Sequence, residues 1–158
     1  MKTIGIFVDV QNIYYTTRDT YQKGFNYRAL WQRIAQQGVI KTANAYAIHR
    51  GDDRQLKFQE ALKHIGFTVK LKPFIQRSDG SAKGDWDVGI TIDVMALAPT
   101  LDHVILLSGD GDFDLLLEKI RRDYKVTTEV YGVAALTAQS LITSSDQFHP
   151  IKKDLLLP

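Results

Sequence analysis

The sequence predicts a three-layer α/β domain in which a mainly parallel five-stranded sheet is covered by helices on both faces. Three observations lead there. Short apolar runs alternate with helix-length amphipathic segments along the whole chain, the pattern of a parallel sheet with crossover helices. The 158 residues fit a single core, since one domain typically spans ~100–200 residues. No repeat, low-complexity tract or second core interrupts them, so residues 1–150 are expected to form the domain and 151–158 a C-terminal tail.

Residues 3–8 (TIGIFV) read as a buried strand that ends at the acid Asp9. Asn26 is placed to cap a helix over 27–36, with Leu30 and Ile34 on one face. Residues 41–48 form the second strand, and 53–65 an amphipathic helix closed by Gly66. The stretch 67–74 alternates, with Val69 and Leu71 opposite Lys70 and Lys72, and is the third strand. QRSDGSAKG (76–84) is polar and glycine-rich, hence a loop. From 86 to 98 the residues are apolar nearly all round, which predicts a buried helix stopped by Pro99. HVILL (103–107) is the fourth strand, 110–122 a helix, 126–131 the fifth strand and 136–144 the last helix. Residues 147–158 add an edge strand before fraying.

Composition removes whole classes of function. With no cysteine there is neither a disulfide framework nor a zinc-thiolate site, in keeping with a reducing, cytoplasmic setting. Asp9 interrupts the N-terminal apolar run, so it is no signal peptide, and no run reaches the ~18 apolar residues of a membrane span. A net charge of +2 does not by itself announce nucleic-acid binding.

In a doubly wound sheet the functional site lies at the carboxyl ends of the strands, near the switch in strand order. Asp9 ends the first strand there, and SGDGDFD (108–114) follows the fourth with Asp110, Asp112 and Asp114. Asp85 and Asp87, in KGDWDV, precede the apolar helix and are placed to join them. Converging carboxylates repel unless a cation compensates. Oxygen donors with no histidine or cysteine beside them suit Mg²⁺ or Mn²⁺. The plain alternative for Asp110 and Asp112 is N-capping, whereas no helix is predicted directly after Asp9. Asp93, six residues past Asp87, points ~240° away around the helix and calls for a structural hydrogen bond. Asn12 either meets a phosphate or holds Asp9; Ser108 either orients a metal-bound water or ends its strand.

Tyr14, Tyr15 and Arg18, then Tyr21, Lys23, Phe25 and Tyr27, interleave aromatics with cations as single-strand stacking platforms do. Packing under the loop, or a homodimer contact, is the alternative use. Lys70, Lys72, Arg77 and Lys83 are placed to line an opposite wall and meet phosphates. His49, His64, His103 and His149 are scattered, and no pair has ligand spacing.

Taken together, FVDVQN, KGDWDV running into DVGITIDVMAL, and LLSGDGDF resemble the NYN domain, and most closely its LabA-like (DUF88) branch within the PIN-like nuclease superfamily. The resemblance runs from about residue 3 to 148. It implies a Rossmann-like sheet of order 3-2-1-4-5 and Mg²⁺- or Mn²⁺-dependent hydrolysis of RNA, single-stranded or structured. Asp9 and Asn12 match the first motif, Asp87 the central acid, and Asp110 and Asp112 the acids of the third, with Asp114 where some relatives carry another. Two residues separate Gly84 from Asp87, so Asp85 and Asp87 both stand as the metal-facing acid. Asp9, Asp87, Asp110 and Asp112 are then the expected catalytic set.

Two rivals remain from other classes. GDGDFD satisfies the metal motif of haloacid-dehalogenase-type phosphatases, but the acid that superfamily needs two residues after the first is Gln11. A catalytically silent RNA- or metal-binding regulatory module is the other.

Overall fold

The computed structural model describes every residue except 74, 77–81 and 84, and the backbone alone at 73, 75, 76, 82 and 83. The main sheet holds six strands, the edge strand expected from the tail joining the five of the core sheet. They are β1 (Thr3–Asp9), β2 (Val39–His49), β3 (Thr68–Pro73), β6 (His103–Leu107), β7 (Thr127–Gly132) and β8 (Gln147–Pro150), in the order β3-β2-β1-β6-β7-β8. Every pairing is parallel. Within the stretch read as a loop, β4 (Ile75–Gln76) and β5 (Ala82–Lys83) pair as a short antiparallel hairpin.

Helices α1 (Val10–Tyr21), α2 (Tyr27–Ala35) and α3 (Asp53–Ile65) cover one face; α4 (Asp87–Leu97), α5 (Asp114–Tyr124) and α6 (Gln139–Ser144) cover the other. Alternation along β1 divides its side chains between two cores. Ile4, Ile6 and Val8 meet Ile13, Leu30, Ile34 and Leu62 on one side, while Phe7 meets Ile90, Val94 and Leu117 on the other. Asn26 caps α2 as expected, accepting from the Ala29 amide at 3.0 Å, and Gly66 closes α3 at φ +135°.

Two expectations are corrected. A helix does follow Asp9 at once: Val10, Ile13 and Thr17 are its buried stripe. Helix α4 is not buried all round: Ile90 and Val94 are buried and Met95 and Leu97 partly so, while Val88 and Ile92 stand in solvent.

The C-terminal residues do not fray. Ile151, Leu155 and Leu156 are buried in the first core, and the Leu157 amide donates to the Gly24 carbonyl at 2.9 Å. The Asn26 amide donates to the Leu155 carbonyl and the Tyr21 hydroxyl to the Ile151 carbonyl, both at 2.8 Å. This tail therefore ties down the connection between α1 and α2. Burying a large aliphatic side chain contributes ~2 kcal/mol, so deleting residues 151–158 is expected to cost about 4–6 kcal/mol. Urea unfolding would report it as a much lower midpoint; an unchanged midpoint would show that the tail adds nothing to the fold.

Candidate metal centre

Register brings the acids together. Val8 pairs with Leu107, so the next residues, Asp9 and Ser108, leave adjacent strand ends side by side. The Ser108 hydroxyl donates to Asp9 Oδ2 at 3.1 Å and accepts the Asp110 amide, also at 3.1 Å. The Asn12 amide donates to Asp9 Oδ1 at 3.4 Å, so Asp9 caps α1, while Asn12 Oδ1 accepts the Gly109 amide at 2.9 Å. Asp110 Oδ1 in turn accepts the Asp112 amide at 2.9 Å and opens a 3₁₀ turn, Gly111–Phe113. Glycine at 109 has a steric cause, since a Cβ there would lie 2.6 Å from the Leu136 carbonyl oxygen.

The third segment arrives from α4. Trp86 turns inward, packs against Tyr46 with ring centroids 5.2 Å apart, and donates its indole N–H to the Ala47 carbonyl at 2.8 Å. That anchor sets the acids on either side of it. Asp87 reaches Asp110 and Asp112, and one carboxylate oxygen from each of the three lies within 4.8 Å of the others. Asp85 instead turns back, its Oδ1 accepting the Asp87 amide at 3.3 Å. Asp114 begins α5 and accepts the Leu115 amide at 2.6 Å, outside this triad. Asp9 is buried behind the three, with both of its oxygens already accepting hydrogen bonds.

Burial, with the neighbouring carboxylates, raises the proton affinity of Asp9 and Asp87. Burial pushes the Asp9 carboxyl up to about 6, against the hydrogen bonds from Ser108 and Asn12 and with the charges of Asp110 and Asp85. Asp87 rises to about 7 through burial, its hydrogen bond with Asp110, and the charges of Asp110, Asp85 and Asp9. A cation would relieve this repulsion. Three carboxylates with no nitrogen or sulfur donor among them fit a hard divalent ion such as Mg²⁺ or Mn²⁺.

The surrounding residues divide. Tyr14, Tyr15 and Arg18 all lie exposed on α1, the two rings in edge contact at 5.3 Å and the guanidinium donating to the Tyr14 hydroxyl at 3.1 Å. Phe25 and Tyr27 pack into the core, so the aromatic platform narrows to those first residues. Ser108 is fully buried. Lys70 donates to Asp93 at 2.7 Å and Lys72 to the Asp85 carbonyl at 3.2 Å, so both are engaged with α4. Asp93 also accepts the Tyr46 hydroxyl at 2.8 Å, the structural hydrogen bond its apolar helix required. The side chain of Lys83, and Arg77 entirely, lie outside the described residues.

One cluster escaped the sequence. His103 and His149 both hydrogen-bond the buried Glu129, the latter at 2.5 Å, and Tyr131 stacks on His149 at 4.5 Å. No linear spacing signals this, because β6, β7 and β8 assemble it through their register.

The strand order and the acidic centre agree with one comparison that decides the family: the NYN domain model matches residues 3–152. The chain belongs to the NYN domain family. With its acidic triad, this NYN domain stands within the PIN-like nuclease superfamily. It is 29% identical over 155 residues to the low amplitude and bright protein LabA of Synechococcus elongatus, covering 92% of this chain and 81% of that protein. The crystal structure of a protein of unknown function from Vibrio parahaemolyticus superposes with a TM-score of 0.94 at 51% identity, covering 99% of this chain and 96% of the other. GDGDFD thus lies inside an NYN domain, so a phosphatase is not needed to account for it. No helix among the described residues is long and apolar enough to cross a membrane.

Proposed function

We propose that this NYN domain is a ribonuclease that hydrolyses RNA phosphodiesters with Mg²⁺ or Mn²⁺ held by Asp87, Asp110 and Asp112. The observation that carries this is the convergence of those three carboxylates at the carboxyl edge of the sheet, with Asp9 behind them. A divalent ion in such a donor set acidifies a bound water and screens the charge on the scissile phosphate. The chain's own residues supply alignment. Ser108 fixes Asp9 and the Asp110 backbone through one hydroxyl. Asn12 has its Oδ1 committed to Gly109, which directs its Nδ2 donor elsewhere, toward a phosphate oxygen in this reading. Asp85 and Asp114 add negative charge at the rim, and Asp9 supports the triad from behind.

Tyr14, Tyr15 and Arg18 are proposed to hold unpaired bases and a phosphate of the same strand. Stacking contributes ~1–3 kcal/mol per base, so Tyr14→Ala with Tyr15→Ala is expected to weaken RNA binding about 30-fold or more. Mn²⁺ affinity should stay unchanged. Equal RNA binding by the double variant would take α1 out of the RNA path and leave a homodimer contact as its use, with sedimentation as the check. A cysteine-free chain acting on RNA is assigned here to the cytoplasm.

The deciding experiment is cleavage of labelled unstructured and structured RNA with Mg²⁺, Mn²⁺ or EDTA. Cutting that requires the ion supports the proposal. Turnover of small phosphomonoesters with RNA left intact would overturn it for a phosphatase. RNA binding without any turnover would make the domain a regulatory module.

A further inference from the structure

The acids depend on where α4 begins, and the structure shows what holds that helix. Asp93 lies on its flank, and Asp93 Oδ2 accepts both the Lys70 ammonium at 2.7 Å and the Tyr46 hydroxyl at 2.8 Å. Asn44 Nδ2 donates to the same Tyr46 hydroxyl at 3.1 Å. Near the start of the helix, Lys72 donates to the Asp85 carbonyl at 3.2 Å and stands over the Trp86 ring at 4.5 Å. Strands β2 and β3 therefore grip α4 at two levels, through groups that never enter the acidic triad.

This grip adds a direction that apolar packing lacks. Helix α4 packs on the sheet through Ile90 and Val94, with Met95 and Leu97 partly buried beside them, and those contacts carry no directional bond. A carboxylate bonded to an ammonium and a phenol fixes both position and rotation, because charge-assisted hydrogen bonds are short and directional. One residue of helix is ~100° of rotation and ~1.5 Å of rise. A modest turn therefore carries Asp87 away from Asp110 and Asp112.

We infer that Lys70, Tyr46 and Asp93 are positioning residues for the metal centre, acting through α4 to hold Asp87 against Asp110. This rests on the proposed metal-dependent function and deepens it. Lys70 and Lys72, placed by the sequence on a wall that could meet phosphates, are hydrogen-bonded to Asp93 and to the Asp85 carbonyl.

The test is Mn²⁺ titration of the full chain by calorimetry and by the electron paramagnetic resonance of the bound ion. Wild type would be compared with Lys70→Met, Tyr46→Phe, Asp93→Asn, Lys70→Arg and Asp87→Asn. Loss of a residue that orients a metal ligand typically costs ~10–100-fold in affinity. Lys70→Met and Asp93→Asn are expected to bind Mn²⁺ about tenfold more weakly with an altered resonance. Tyr46→Phe should fall between them and wild type, and Lys70→Arg should restore both signals. Melting temperature, followed without metal, controls for a merely structural effect. Wild-type affinity and resonance in Lys70→Met and Asp93→Asn, beside weakened binding in Asp87→Asn, would overturn the inference alone. A wild-type chain that binds no Mn²⁺ would overturn the metal-dependent function beneath it.

Discussion

Asp87→Asn is expected to abolish metal-dependent cleavage and, at the same time, to make the metal-free protein more stable. Asparagine keeps the shape of the side chain and can still hydrogen-bond Asp110, but it removes one of three anionic donors from the triad. Turnover should fall about 10²–10³-fold, the scale of losing a main electrostatic contact in a site of this kind. Asp110→Asn should match it, because the amide oxygen can still cap the turn at Asp112.

The gain in stability follows from the sign of the proton affinities. Asp87 at about 7 and Asp9 at about 6 both lie above the ordinary 3.8. As pH rises the unfolded chain releases these protons first, so the metal-free fold loses stability between about pH 4 and pH 7. Removing the Asp87 carboxyl returns part of that loss. The group is partly solvated, which limits the gain to about 1–2 kcal/mol, or ~3–6 °C of melting temperature for a chain of this size. The gain should vanish below about pH 4, where both forms are neutral. Melts at several pH values, with EDTA and then with saturating Mn²⁺, would check it. A variant less stable than wild type at pH 8 without metal would show that the hydrogen bonding of the Asp87 carboxyl outweighs the burial and repulsion it suffers, and would overturn the prediction.

The second large effect is expected far from the acids. Glu129→Ala takes the shared acceptor from between His103 and His149 and leaves two imidazoles facing a void. His103 Nδ1 and the Tyr131 hydroxyl are already buried with no hydrogen-bond partner among the described residues, so the neighbourhood offers little replacement. Breaking a buried, charge-assisted contact of this kind costs ~3–5 kcal/mol, which predicts a melting temperature lower by about 10 °C. Burial raises the Glu129 carboxyl, but the bonds from His103 and His149 outweigh it and hold the group below its usual 4.5. Its contribution is therefore present above pH 4.5 and is lost as pH falls through the lower, folded value. Wild type and variant should converge in acid. A melting temperature within about 2 °C of wild type at pH 7 would sink the prediction.

What the sequence disclosed, and what it hid, follows the range of the interactions. The strand at 103–107 was legible because all five residues are buried, and the caps at Asn26 and Gly66 because capping is local chemistry. Helix α1 was missed because Tyr14, Tyr15, Thr16 and Thr17 are poor helix formers. Its evidence is a sparse stripe, Val10, Ile13 and Thr17, that only packing against the sheet makes decisive. Helix α4 misled in the other direction, since Val88 and Ile92 are apolar yet exposed. The acids were visible as a group, but their hierarchy was not. Which of Asp85 and Asp87 faces the triad is decided by the inward turn of Trp86 and by hydrogen bonds to β2 and β3. The pairing of His103 and His149 on Glu129 depends on strand register alone, which no linear pattern encodes.

The hydroxyl of Ser108 reaches Asp9 across 99 positions of sequence, because β1 is the middle of the sheet and its second neighbour, β6, is made late. A chain emerging from its N-terminus can pair β1 with β2 and bury part of the first core long before Asp110 exists. Domains acquire their long-range contacts last, when the closing segment arrives. The acidic centre is therefore a property of the nearly finished molecule. Until Ser108 and the acids of the later segment are made, Asp9 has neither the hydroxyl donor nor the neighbouring carboxylates that surround it in the finished fold.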